Sequence, residues 1–329
     1  MRPGKAYGGS AIPGNFSANM TVTCKFSPQV SRRGAERVAD WLGALGALAC
    51  LSACGGAELD PAGPVSAAER KILFDALAMM LAIVIPVIIA TLVIAFRFRA
   101  SNTRAPYLPT FTHSGRIELI TWSIPALVIF FLGGVAWTSS FLLDPARPLA
   151  SRAKPLEIQV VSLDWKWLFI YPEQRVASIN RLVVPAGVPL RLRLTSAGVW
   201  NVFWVPQLGS MLYCMHGMAG TLYLQADHPG VYYGSSAMIS GDGFADMHFD
   251  TAAVPSGEFA SWVSAAQAAG PALDDSAYRV LLRQSSKVPP QTYRSVRPGL
   301  FEAIVTQQLP QGEGPQESAP SPSAVKLGK

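Results

Sequence analysis

Residues 76–96 read Ala76-Leu-Ala-Met-Met-Leu-Ala-Ile-Val-Ile-Pro86-Val-Ile-Ile-Ala-Thr-Leu-Val-Ile-Ala-Phe96, without a single charge. At about 1.5 Å per residue such a run makes roughly 30 Å of helix, the thickness of a bilayer's hydrocarbon core. A second uncharged stretch, Leu119 to Leu143, is long enough to cross again with some tilt. Pro86 and Pro125 fall inside these runs, which a membrane helix tolerates where neighbouring groups satisfy the freed carbonyls. The spacing predicts a transmembrane hairpin with helices over 71–98 and 117–143 and a loop over 99–116. That loop carries Arg97, Arg99, Arg104 and Arg116 at or near its ends, and the positive-inside bias puts it in the cytoplasm.

Composition agrees with a membrane portion joined to something else. Half of the 329 residues are hydrophobic and 15% are charged, enough chain for about two folding units. The net charge of +6 is concentrated at the start, where residues 1–53 hold six Lys/Arg against two Asp/Glu. Residues 155–256 hold five Lys/Arg against seven Asp/Glu, so no basic face remains there for phosphates and nucleic acid is excluded as a partner.

Ahead of the hairpin, Arg32, Arg33 and Arg37 precede the uncharged run Trp41 to Ala53, the order of a secretory signal. The run ends Leu51-Ser-Ala-Cys54-Gly55, which resembles a bacterial lipobox. The expectation is a signal peptide over 1–53, its true start downstream of Met1, cut before a lipidated Cys54 that begins a periplasmic linker over 54–70. Both ends of the hairpin then face the periplasm of a bacterial inner membrane, and the chain touches the lipid bilayer throughout its spans.

Beyond Leu143 the pattern changes. Leu156, Ile158 and Val160 alternate with Glu157 and Gln159, and Leu190, Leu192 and Leu194 alternate with Arg191 and Arg193. Period two with one apolar face marks half-buried strands, and Pro185-Ala-Gly187, Asp227-His-Pro229-Gly230 and Gly241-Asp-Gly243 supply turns. Residues 155–253 read as an all-β sandwich. From Gly257 short helices are expected over Phe259–Ala269, Ser276–Leu282 and Val296–Val305, a helical extension over 257–309. A Pro-, Ser-, Gln- and Gly-rich tail over 310–329 reads as disordered.

Cys214, alone in the sandwich, excludes a disulfide framework there. It reads either as a small buried residue or as a reactive or metal-binding thiol near His216. Met211, Met215, Met218, Met238, Met247 and His248 enrich the same region in soft ligands, but no spacing among them matches a known site. Glu118, at the start of the second span, is either a proton-handling group or a carboxylate favouring the helix N-terminus. Trp165 and Trp167, in Asp164-Trp-Lys-Trp-Leu-Phe-Ile-Tyr171, read as packing and docking aromatics.

Three motifs carry a family resemblance: Asp164-Trp-Lys-Trp167, Ala197-Gly-Val-Trp-Asn-Val-Phe-Trp-Val-Pro206, and Gly230-Val-Tyr-Tyr-Gly-Ser-Ser-Ala-Met-Ile-Ser-Gly-Asp-Gly-Phe-Ala-Asp-Met247. They resemble subunit II of the haem–copper oxidases, and within it the bacterial bo-type ubiquinol-oxidase branch. The resemblance implies a cupredoxin-like fold for the sandwich. It also implies that the positions holding a dinuclear copper centre in copper-bearing members are here Asn201, Ser236, Met238, Ser240 and Phe244, with Met247 alone retained. A thioether without thiolates or imidazoles does not hold copper, so no metal is expected in this chain. Haems and catalytic copper are expected in subunit I, with subunit I, the other membrane subunits and, through the complex, ubiquinol as partners. The resemblance further implies that Glu118 lies at the mouth of a proton-uptake channel, and that the aromatic-rich extension marks the quinol-oxidising branch. The chain then covers subunit I and takes part in oxidising ubiquinol and reducing oxygen to water. The rival reading is a stand-alone membrane-anchored lipoprotein that binds a ligand or metal.

Overall fold

The computed structural model describes residue 56, residues 59–106 and residues 110–312. The expected signal over 1–53, Cys54 and most of the expected tail lie outside these residues. Two long helices come first, α1 (Pro64–Arg97) and α2 (Gly115–Leu142). Pro64 suits a first helical position because its missing N–H would have no intrahelical acceptor there. Only Val65 and Ser66 of α1 are buried and none of α2 is, although both helices are apolar all round. A helix hydrophobic on every face needs an apolar solvent. By length and composition both can cross a membrane.

The boundary of the first span differs from expectation. Part of the expected linker, from Pro64 onward, is already helix, because its residues dock on the β-domain. Ala62 N–H donates to Gln207 O at 2.8 Å, Asp227 N–H to Ala62 O at 2.8 Å, and the Ser66 hydroxyl to Gln207 O at 2.7 Å. Gly63 is required here, since a Cβ would stand 2.1 Å from Gln225 O. On the other side Tyr223 N–H donates to Pro145 O at 2.9 Å, just past the end of α2. The sandwich is thus tied to both helices of the hairpin.

The β-domain runs β1 (Leu156–Leu163), β2 (Lys166–Tyr171), β3 (Val176–Ile179), β4 (Arg181–Pro185), β5 (Leu190–Ser196), β6 (Asn201–Trp204), β7 (Leu212–Cys214), β8 (Gly220–Leu224), β9 (Gly230–Ser236) and β10 (His248–Val254). The extension adds α3 (Ser256–Ala268), β11 (Ala272–Leu273), α4 (Asp275–Leu282), β12 (Gln291–Tyr293), β13 (Ser295–Val296) and α5 (Leu300–Val305). One sheet has the order β12-β3-β2-β1-β5-β8, the other β4-β10-β9-β6-β7. β1 pairs parallel with β5, placing Ile158 beside Leu192 and Val160 beside Leu194. These residues face the other sheet, as the alternation predicts. Between the sheets, Trp167, Phe169, Phe203 and Phe249 are fully or almost fully buried, with ring centroids 5.2–6.5 Å apart.

The extension departs from the helical expectation. β12 joins the first sheet beside β3, β11 and β13 form a parallel pair, and Val296 lies in a strand. The third helix therefore begins at Leu300, after Gly299 takes the left-handed conformation (φ +74°) that Gly reaches without steric cost. The extension covers the outer face of the first sheet, burying Val161, Leu163, Leu168 and Ile170 against Tyr278, Leu282, Leu300 and Phe301. β2 is consequently buried on both faces. The chain is still held at Gly312, whose N–H donates to Ala197 O at 2.8 Å, so order continues past the expected boundary at residue 310.

Candidate functional site

Three loops converge where the resemblance locates a metal centre, and hydrogen bonds close them. Asn201, the first residue of β6, is almost fully buried; its side-chain N–H donates to the Ser162 hydroxyl at 2.7 Å. Its carbonyl accepts from the Ser236 hydroxyl at 3.2 Å, and the same hydroxyl lies 3.2 Å from Met238 O. Ser236 N–H donates to Met247 O at 3.1 Å, so Met247 is packed beside the network. Ser240 is buried, its hydroxyl without a partner among the described residues, while its carbonyl accepts from the Trp165 indole at 3.3 Å. Phe244 opens a short 3-10 turn, Phe244–Asp246, and is half-buried. Asn201 and Ser236 are thus in direct contact, Met238 and Met247 join them through backbone atoms, and Ser240 and Phe244 line the same loop.

This donor set does not fit copper. Amide, hydroxyl and phenyl groups stand where thiolate and imidazole are needed, and the two buried polar side chains at the centre are satisfied by each other. Nor does Cys214 complete a site. It is fully buried opposite Asn201 across β6 and β7, and burial pushes its thiol well above the usual range. His216 turns Nδ1 toward Ser196 O at 3.1 Å. Among the described residues no group of three or more His, Cys, Asp or Glu is placed to hold a metal.

The two tryptophans differ. Trp167 is fully buried, with its ring edge-on to Phe203 and Phe249. Trp165 has a left-handed backbone (φ +62°) and is half-buried, and its ring fills the space that a Cβ on Gly243 would enter at 2.3 Å. Between them Lys166 is only 1% exposed. Its ammonium donates to Arg283 O and the Ser285 hydroxyl, both at 2.7 Å, and to Asp164 O at 3.3 Å. Burial lowers its pKa to about 8, against the pull of the Asp164 carboxylate.

At the far end of the hairpin, Glu118 lies in the first turn of α2 and pairs with His113, Nδ1 to Oε1 2.7 Å. Sequence reasoning missed His113 and Lys166. The apolar run Leu-Phe-Ile-Tyr after Lys166 was the available signal for the latter, since a strand apolar on both faces is covered on both.

Around these loops the surface is apolar. Trp200 stacks on Tyr213 (centroids 5.6 Å, 21° between planes), and Met215, Met218 and Ile239 are exposed nearby. Residues 194–226 contain no Asp, Glu, Lys or Arg. Depletion of charge with enrichment in Trp, Tyr and Met marks the core of a protein–protein interface.

Two family models match the chain: the periplasmic domain of cytochrome c oxidase subunit II over residues 157–254, and the oxidase aromatic-rich motif over 267–312. The cytochrome bo(3) ubiquinol oxidase subunit 2 of Pseudomonas aeruginosa is 44% identical over 83% of this chain and 82% of its own. The ubiquinol oxidase subunit 2 of Acetobacter aceti is 43% identical over 80% of this chain and 86% of its own. Among solved structures, the periplasmic domain of Bradyrhizobium japonicum cytochrome oxidase subunit II aligns with 36% of this chain and 96% of its own, at 26% identity and a TM-score of 0.33. With these matches over a cupredoxin-like sandwich and an aromatic-rich extension that follow two helices of membrane-spanning length, the chain belongs to the ubiquinol oxidase subunit 2 family of the haem–copper oxidases.

Proposed function

We propose that this chain is the non-redox subunit of a proton-pumping ubiquinol oxidase of the bacterial inner membrane, in a complex that oxidises ubiquinol and reduces oxygen to water. The observation that carries the reading is the closed Ser162–Asn201–Ser236 network, which replaces an electron-entry centre with neutral hydrogen bonds. A soluble one-electron donor has no acceptor here, so the complex draws its electrons from a membrane donor. Haems and catalytic copper belong to subunit I.

The charge-free face around Trp200 and Tyr213 is the surface this reading assigns to subunit I, with the hairpin bracing the membrane bundle. Glu118, paired with His113, serves proton entry on the side of the hairpin loop, which is cytoplasmic. The sandwich is periplasmic, and Cys54 carries the lipid anchor. Purification from membranes in detergent tests the reading: co-elution with a haem-bearing polytopic subunit is expected, and a colourless, stand-alone protein would refute it. Glu118→Ala is expected to slow turnover several-fold with assembly intact, and an unchanged proton-coupled rate removes Glu118 from the path.

A further inference from the structure

The basic residues flanking the spans are not confined to the connecting loop. On the sandwich side stand Arg70, Lys71, Arg147, Arg152 and Lys154, no fewer than the four arginines of the loop side. A positive-inside bias does not account for them. Among them, Arg147 borders a cavity of about 310 Å³ beneath the β-domain where α2 ends, which is also lined by Val65, Leu142, Leu143, Asp144 and Tyr223.

The cavity has the polarity of a membrane surface. Leu142, Leu143 and Val65 give it an apolar lining at the end of the span, and Asp144 and Arg147 a charged one. Arg147 is positioned by one N–H, which donates to Phe141 O at 3.2 Å and satisfies a carbonyl of the last turn of α2. Its remaining donors form a planar fork suited to phosphate oxygens. Asp144 is held by its turn, its carboxylate accepting from Ala146 N–H and its carbonyl from Arg147 N–H, both at 2.9 Å. The roof is fixed, because Tyr223 N–H is bound to Pro145 O and the start of α1 is clamped to the β-domain. An acid and a base held three residues apart at this depth match a ligand that carries phosphate and ammonium on one short headgroup.

We infer that this cavity binds a zwitterionic aminophospholipid, with its phosphate on Arg147, its primary ammonium on Asp144, and an acyl chain running down α2 past Leu143 and Leu142. The inference needs only that the hairpin spans a bilayer, and it stands or falls apart from the quinol-oxidase reading.

The test is made on the intact detergent-purified complex, or on whatever assembly holds the full chain. It is stripped of loosely bound lipid and incubated with ethanolamine phospholipid, with glycerol phospholipid, or with inorganic phosphate alone, and retained ligand is then counted by native mass spectrometry. Retention of ethanolamine lipid at least five-fold above glycerol lipid is expected, reduced at least five-fold by Arg147→Gln. Asp144→Asn is expected to abolish the headgroup preference while keeping phospholipid retention, and Arg152→Gln is the control that leaves both unchanged. Equal retention of both lipids by the unaltered chain, retention insensitive to Arg147→Gln, or competition by inorganic phosphate alone as strong as by lipid would overturn the inference. Because Asp144→Asn reads preference rather than presence, a fold defect in the Arg147 variant does not mask the outcome.

Discussion

Two clusters of buried polar side chains lie at opposite faces of the first sheet, and they solve the same problem differently. At the loop end, Asn201, Ser236 and Ser162 form a neutral network inside the sandwich. Under the extension, Lys166 carries a charge into a site almost closed to solvent and spends its donors on the segment between α4 and β12. Burying a neutral hydroxyl costs little once it is bonded, whereas burying an ammonium costs several kcal/mol unless its donors are matched. The neutral cluster closes the loops on one another without a charge. The charged one fixes where an added layer sits, since moving the extension would strand the lysine.

The largest expected effect concerns the core between the two sheets. Trp167→Ala should destabilise the β-domain by about 3–5 kcal/mol, because a fully buried ring between Phe203 and Phe249 leaves a cavity that the sheets cannot close. Thermal unfolding of the complex followed at the tryptophans checks it. Next, Lys166→Ala should cost about 1–3 kcal/mol, since a buried side chain and its bonds to Arg283 O and the half-buried Ser285 hydroxyl are lost together. The loss should show first as faster hydrogen exchange over residues 283–288. A cost confined to the sandwich, with the extension unaffected, would break the comparison.

The same lysine gives a pH dependence of defined sign. Its folded pKa, about 8, lies below the ordinary value of 10.5, so between these values the unfolded chain binds more protons than the folded one. Stability from this group therefore rises with pH across that window, by about 1.4 kcal/mol per unit, and is lost as pH falls through the folded value. Denaturation midpoints measured from pH 7 to 10 should show this slope in the unaltered chain and lack it in Lys166→Met. An effect no larger is expected at the loop end. Asn201→Ala should cost about 1–3 kcal/mol, with no change in the pH slope, because only neutral groups lose partners.

Much of this architecture is legible in the sequence. Charge-free runs give the hairpin, because helices apolar on every face need a membrane or a protein core around them, and these are left exposed by the rest of the described chain. Leu156, Ile158 and Val160 give the first strand, and Asn201 and Ser236, singled out in two separate loop motifs, are in hydrogen-bond contact. The extension was read less well, because β12 and β13 are too short to show a period and depend on a partner strand far away in sequence. Lys166 escaped notice because a lysine in a strand reads as solvent-facing until something covers it. The start of α1 was misplaced for a similar reason: Gly63 and Ser66 are ordered by contacts with residues 207 and 225, which local pattern does not contain. The four loop arginines are the orientation signal in the sequence, and basic residues on the sandwich side weaken it, because Arg70, Lys71, Arg147, Arg152 and Lys154 flank the other end.

The central claim, that this subunit serves a quinol-driven oxidase without an electron-entry copper centre of its own, is tested most directly by oxygen consumption of the purified complex with two donors. The account predicts rapid turnover with ubiquinol and none with reduced cytochrome c, and the same donor preference in Asn201→Ala. Turnover with reduced cytochrome c would contradict it.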